Sequence, residues 1–360
     1  MSSDFGDRKV LACVTGASGY IGAAVAVQFL QQGHSVRLPL RKQEQAKAWH
    51  AQYGKDYEGR LETLVLEKEM AEEGAFDKAV SGCDVVVHAA SPATHIFQDA
   101  ERDILKPAVQ GTLSILKSAQ KAPSVKSVVT TTSFSAYIAH KDAFVGCKDV
   151  HITEGTWNSV TYEDAAKMLP AQGSMVYAAS KACSERAAWD FVTQNDVSFT
   201  LSTCAPSFTL GRDYVPGIKS LKDLHSTAAM ALYAFWNKQD FPPVGAGKGF
   251  RVDAYVNVDD VARAHVAAAL NPSRSNGHRY LLIGSRTCWE EIVRIMRDYK
   301  PELAAHLPPV PEQDPERTTR YTYDSEGIVR DLGVDYSPLE DLVKSYADQL
   351  HELAKADGTL

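Results

Sequence analysis

The stretch VLACVTGASGYIGAAVAVQFLQQG, Val10 to Gly33, leaves the chain few folds to choose from. Val10, Leu11, Cys13 and Val14 form a short apolar run of the kind a parallel strand covered on both faces requires. Gly16, Gly19 and Gly22 follow at intervals of three, which lets the backbone turn tightly, approach a ligand closely and pack the next helix near the strand. A helix is expected from about Tyr20, with Ile21, Val25, Phe29 and Leu30 as its buried stripe and Gly33 at its end. A glycine triplet alone serves any tight turn. The strand before it and the helix after it point instead to a dinucleotide site, with the pyrophosphate held by Gly16, Ser18, Gly19, Tyr20, Ile21 and Gly22 at the positive end of the helix.

The rest of the chain keeps the alternation that such an opening demands. SVRLPL reads as the second strand, Gln43 to Tyr53 as a helix, and RLETLVLEKEM carries the third strand, with Glu69 and Met70 after it near the adenine. CDVVVHAASP is a fourth strand whose small exit residues Ala89, Ala90 and Ser91 let the backbone lie against ribose and phosphate. Asp99 to Lys121 is a long helical pattern with a kink expected at Pro107. SVKSVVTTTS and the end of FVTQNDVSFTLSTCAP supply the fifth and sixth strands, and RYLLIG another. AYVNVDDVARAHVAAALN reads as a return to the main sheet followed by a helix capped at Asp259 or Asp260. The pattern predicts an α/β, doubly wound parallel sheet over residues 1–206 and 254–285. A smaller, mostly C-terminal substrate lobe takes 207–253 and 286–360, including a helical LKDLHSTAAMALYAFW and a last helix from about Pro338 to Ala354.

An NAD site places Asp or Glu at the end of the second strand, about 20 residues past the glycines, to bind the ribose 2′-OH. Leu40 stands there, followed by Arg41 and Lys42, so the site is expected to take the 2′-phosphate of NADP.

Two tyrosines have a lysine four residues on, Tyr137 with Lys141 and Tyr177 with Lys181. Spacing cannot choose between them, but Tyr177 begins the helical YAASKACSERAAWDFV, where positions four apart share a face. Tyr137 lies just past a strand and is expected in a loop or pocket wall. An unperturbed phenol with pKa near 10 is a poor acid at neutral pH, and a neighbouring ammonium is expected to bring it toward the working range. Tyr177 could then protonate an alkoxide formed as hydride reaches a carbonyl carbon, while Lys181 reaches the nicotinamide ribose. The carbonyl oxygen needs a further donor at the end of the fifth strand; Ser133 is chosen, with Thr132 as its competitor.

Composition narrows the setting. Hydrophobic residues make up 44% and charged ones 23%, with a net charge of −7 and no basic block, which disfavours nucleic acid as a partner. Neither an N-terminal apolar segment nor a membrane-length run is present, so a soluble, cytoplasmic protein is expected. The six cysteines, Cys147 among them, are scattered and the histidines dispersed, without metal-ligand spacing; reduced thiols and no metal are expected.

With TGASGYIG, a fifth-strand serine and YAASK in this order, the chain resembles an extended short-chain dehydrogenase/reductase over nearly its full length. GCDVVVHAASP, PAVQGTLSIL, CAPSFTLG and YVNVDDVARAHVAAAL add to the likeness. Within that superfamily it is similar to the NADPH-dependent branch of dihydroflavonol, cinnamoyl-CoA and methylglyoxal reductases, and most of all to fungal aldehyde or carbonyl reductases. The resemblance implies a Rossmann sheet, Ser133, Tyr177 and Lys181 as catalytic set, Arg41 on the 2′-phosphate, and Pro206, Ser207 and Phe208 beside the nicotinamide. Gln110 stands where many members have asparagine, and VTTTS replaces the usual T-S-S ending. The expected activity is reduction of a small aldehyde or ketone by a monomer or homodimer. Phe97, Phe134, Tyr137, Tyr214 and Trp236, with Phe208, are the candidate pocket walls. The alternatives are a hydroxysteroid dehydrogenase or sugar epimerase of the same fold, and an NADP-sensing protein without turnover.

Overall fold

The first strand is buried on both faces, and its side chains alternate between two apolar clusters. The computed structural model describes residues 3–92, 96–138, 148–241, 254–312 and 320–360; Lys141, Cys147 and the 242–253 stretch of the expected lobe lie outside them. In β1 (Leu11–Thr15), Ala12 and Val14 belong to one apolar cluster and Cys13 to another on the opposite face. Successive side chains of a strand point to opposite sides. Hence Val85 and Val87 of β4 (Val85–His88) join the first cluster and Val86 the second, and Val129 and Val128 of β5 (Ser127–Thr131) divide likewise.

These strands sit in a seven-stranded parallel sheet with β2 (Ser35–Leu40), β3 (Leu61–Val65), β7 (Thr200–Pro206) and β10 (Arg279–Leu282), in the order β10-β7-β5-β4-β1-β2-β3. The order runs outward from β1 in both directions. A crevice therefore opens at the carboxyl ends of β1 and β4, where doubly wound sheets bind ligands. The expected Rossmann sheet is this one. Helix α1 (Tyr20–Gln31) covers one face together with α8 (Val258–Leu270), while α4 (Lys106–Gln120) and α6 (Gly173–Gln194) cover the other. Between them in sequence lie α2 (Gln43–Tyr53), α3 (Asp77–Val80), α5 (Tyr162–Ala166) and α7 (Ser226–Phe235).

Two expectations change. Ala254–Asn257, read as a return to the main sheet, is β9 of a separate three-stranded sheet with β8 (Phe208–Leu210) and β11 (Ser285–Arg286). An apolar run of four residues carries no information about which sheet it joins. The helix after it is capped by Asn257, whose side chain accepts from the Asp259 N–H at 3.1 Å, and not by either aspartate. Pro107 lies within a continuous helical run: a π-helical turn, Glu101–Leu105, leads directly into α4, the Lys106 N–H donates to the Glu101 carbonyl, and Pro107 follows at once with no N–H to give, so the irregular turn adjoins the proline.

The remaining elements are α9 (Pro272–Ser275), α10 (Trp289–Tyr299), α11 (Gly327–Leu332) and α12 (Leu339–Ala356), and a two-stranded sheet of β6 (Lys148–Ile152) with β12 (Arg320–Tyr323). No helix among the described residues is long and apolar enough to cross a membrane.

Candidate active site

The three glycines of the turn are required for three different reasons. Gly16 has φ +73°, and a Cβ there would lie 2.7 Å from the backbone of Ala89 and Ala90. At Gly22 a Cβ would overlap the Gly16 carbonyl. Gly19 has ordinary φ −125° and no protein neighbour closer than 3.4 Å, so its bareness leaves room for something outside the chain. Trp49 Nε1 donates to the Ala17 carbonyl at 3.2 Å and Tyr20 Oη to that of Gly211 at 2.9 Å, which braces the turn from α2 and from the end of β8.

The turn forms one wall of a cleft of about 670 Å³. Gly16, Ser18, Gly19, Tyr20, Ile21 and Gly22 all line it, as do Ala89, Ala90 and Ser91 at the exit of β4 and Pro206, Ser207 and Phe208 at the end of β7. Arg41 and Met70 line it too. Arg41 is exposed, and among the described residues no carboxylate pairs with it. Lys42 and Glu69 adjoin these but do not line the cleft; the Lys42 N–H donates to Gln45 and the Glu69 N–H to Glu72. The donor set fits a dinucleotide phosphate. Besides the room at Gly19, the Ser207 hydroxyl is buried against the cleft with no partner among the described residues.

At the floor of the cleft, α6 presents Tyr177 and Lys181 one turn apart, and Ser133 stands just past β5. Tyr177, Lys181 and Ser133 all face the cleft, the Ser135 N–H donates to Ser133 Oγ at 3.2 Å, and Lys181 Nζ lies 5.5 Å from the Tyr177 ring centre. Burial pushes the Tyr177 phenol above its ordinary value, opposed by Ser133, and lowers the Lys181 ammonium to about 8. The expected lowering of the phenol by the ammonium is not found: burial raises it, and the group that opposes burial is Ser133. Thr132, the competitor for Ser133, also lines the cleft but donates its hydroxyl to the buried Glu185 at 3.0 Å. Beneath the floor, His88 bonds Thr15 Oγ1 at 2.9 Å, and burial, followed by the Lys181 charge, lowers it to about 3, so it is neutral. Gln110 is exposed on α4.

Of the aromatic pocket walls, Phe134 and Phe208 line the cleft. The others are elsewhere, each satisfied by tertiary partners. Phe97 packs in a core with Ile104 and Val176. Tyr137 is 1% exposed, with its hydroxyl on the Arg279 carbonyl at 2.9 Å and its ring 4.2 Å from the Arg279 guanidinium. Tyr214 bonds Asp259 at 2.8 Å, and Trp236 stacks on His306 at 4.8 Å. The cleft is instead closed by Ile138, His225, Thr227, Met230 and Tyr321. His225 opens the segment HSTAAM, a polar start to an apolar helix that could have drawn attention, and Asp213 fixes its ring at 3.0 Å. Tyr321 carries no local signal, since only the pairing of β12 with β6 brings it to the cleft.

The chain from residue 12 to 284 matches the model of the NAD dependent epimerase/dehydratase family. It is 34% identical over 355 residues, 98% of each chain, to a cinnamoyl-CoA reductase of Medicago truncatula. To aldehyde reductase 2 of Sporidiobolus salmonicolor it is 30% identical over 327 residues, 90% of each. It superposes on yeast methylglyoxal/isovaleraldehyde reductase Gre2, solved with NADPH, at a TM-score of 0.81 and 25% identity, over 97% of this chain and 100% of that one.

Proposed function

The chain belongs to the NAD dependent epimerase/dehydratase family, and from that premise we propose that it is an NADPH-dependent reductase converting an aldehyde or ketone to the alcohol. The observation that carries this reading is the meeting of Tyr177, Ser133 and Lys181 at the floor of a cleft whose far wall is the glycine turn and Arg41. When bound, NADPH would supply the hydride. Ser133 donates a hydrogen bond to the substrate oxygen and holds it beside Tyr177, which is protonated at neutral pH because burial favours the phenol. As hydride reaches the carbonyl carbon, negative charge develops on the oxygen, and Tyr177 gives its proton to it. Lys181 then faces a phenolate at the moment when a nearby positive charge stabilises it most. Arg41 and the absence of a carboxylate at the end of β2 favour the phosphorylated cofactor over NADH.

The test is NADPH consumption against aliphatic, aromatic and β-keto ester carbonyls, with NADH as control, in the wild type and in Arg41→Glu. Turnover with NADPH is expected, and the substitution should weaken NADPH by about 10-fold or more while leaving NADH nearly unchanged. Equal weakening of both removes Arg41 from the phosphate. Tight NADPH binding without turnover of any carbonyl would favour a sensor.

A further inference from the structure

Glu185 lies on α6 one turn beyond Lys181 and two beyond Tyr177, and its carboxylate is fully buried. Each oxygen accepts two hydrogen bonds. Oε2 takes the Thr132 hydroxyl at 3.0 Å and Arg279 Nη2 at 3.2 Å; Oε1 takes the Thr203 hydroxyl at 2.8 Å and Arg279 Nε at 2.7 Å. Arg279 is itself fixed. Its Nη1 donates to the carbonyls of Glu154 and Thr156 at 2.6 and 2.8 Å, and its guanidinium lies 3.5 Å from the Trp157 ring centre. One carboxylate thus ties α6 to β7, to β10 and to the residue immediately before Ser133.

We infer that Glu185 is a positioning residue, which through Thr132 sets the spacing of Ser133 from Tyr177. The inference rests on the reductase reading above. The N-terminus of α6, where Tyr177 sits, has no side-chain cap to hold it, so the register of the helix against β5 is set further along. A buried ion pair is weak evidence for stability, because apolar residues of the same volume can replace it without loss. What they cannot replace is the direction of four bonds from three strands or strand ends onto one side chain of the helix. Proton transfer from Tyr177 needs the substrate oxygen within hydrogen-bond reach of both hydroxyls, and a misplacement of about 1 Å costs on the order of 100-fold in rate.

The test compares Thr132→Val, which removes only the tie to β5, with Thr132→Ser, which restores the hydroxyl, and with Glu185→Gln. Thr132→Val is expected to lower kcat by about 10- to 100-fold, with KM for the carbonyl and the NADPH Kd within about threefold of wild type. Thr132→Ser should return most of the rate. Hydrogen exchange on the same proteins should show faster exchange at 132–135 and 176–181 in Thr132→Val and Glu185→Gln, with β1 to β4 unchanged. Wild-type kcat in Thr132→Val, or unchanged exchange in both segments, overturns the inference. If the wild type reduces no carbonyl, the reductase reading fails instead, and exchange alone decides whether the tie exists. Glu185→Gln that does not fold leaves Thr132→Val to give the answer.

Discussion

Burial raises the pKa of a phenol and lowers that of an ammonium, and at Tyr177 and Lys181 the two effects act on neighbours one helical turn apart. The result suits a proton donor for reduction, since the phenol keeps its proton at neutral pH and the ammonium stays charged up to about 8. Reduction should therefore slow as pH rises through about 8, where Lys181 becomes neutral, and a rate that holds flat well beyond that value would separate Lys181 from the proton transfer. Tyr177→Phe removes the donor itself. Its kcat should fall by about 100- to 10,000-fold while NADPH still binds, as read by fluorescence titration. Retained turnover would move the acid to another group. Tyr177 and Lys181 were legible in the sequence because a spacing of four on a helix is a local property. The twin spacing at Tyr137 looks identical on paper, and only Arg279, more than a hundred residues away, takes that phenol into the core. Phe97, Tyr214 and Trp236 do not line the cleft for the same reason: whether an aromatic ring faces a cavity depends on partners far along the chain.

At the scale of elements, the strand, turn and helix from Leu11 to Gln31 formed where the glycines placed them, and the glycines are not interchangeable. Ala in place of Gly19 meets no protein atom within 3.4 Å and needs no unusual φ, so the fold should tolerate it. What it blocks is the approach of a phosphate, and NADPH affinity should drop by about 10-fold or more at nearly unchanged thermal stability. Ala in place of Gly22 collides with the backbone of Gly16 and should cost about 1–3 kcal/mol of unfolding free energy, measured by urea titration. If both variants lost stability equally, the division of labour within the turn would be wrong. The doubly wound, parallel class of the main sheet was legible from the strand and helix alternation, because a right-handed crossover leaves few arrangements. Membership of β9 was not, because a buried strand of four residues reads the same in either sheet.

Across the whole molecule one apolar cluster runs from β1 and α1 through α8 into α7, α10 and α12, so these elements share a core. Two histidines buried beside the main sheet couple that core to pH. His265 of α8 bonds the Val261 carbonyl and the Thr131 hydroxyl, each at 2.8 Å, which bolts α8 to the end of β5; His88 of β4 bonds Thr15 in β1. Burial lowers His265 to about 4 and His88 to about 3, so both are neutral when folded and take up a proton near 6.5 only when the chain unfolds. Between those values the unfolded state binds more protons, and stability falls as pH falls. Each histidine should remove about 1.4 kcal/mol per pH unit below 6.5, His265 ceasing to contribute near 4 and His88 near 3. Urea titrations at a series of pH values measure this slope, and His265→Gln, which keeps an acceptor and a donor for Thr131 and Val261 but cannot titrate, should reduce it by about one histidine's share, 1.4 kcal/mol per unit. An unchanged slope in that variant would place the acid sensitivity on carboxylates and leave His265 a purely structural bolt.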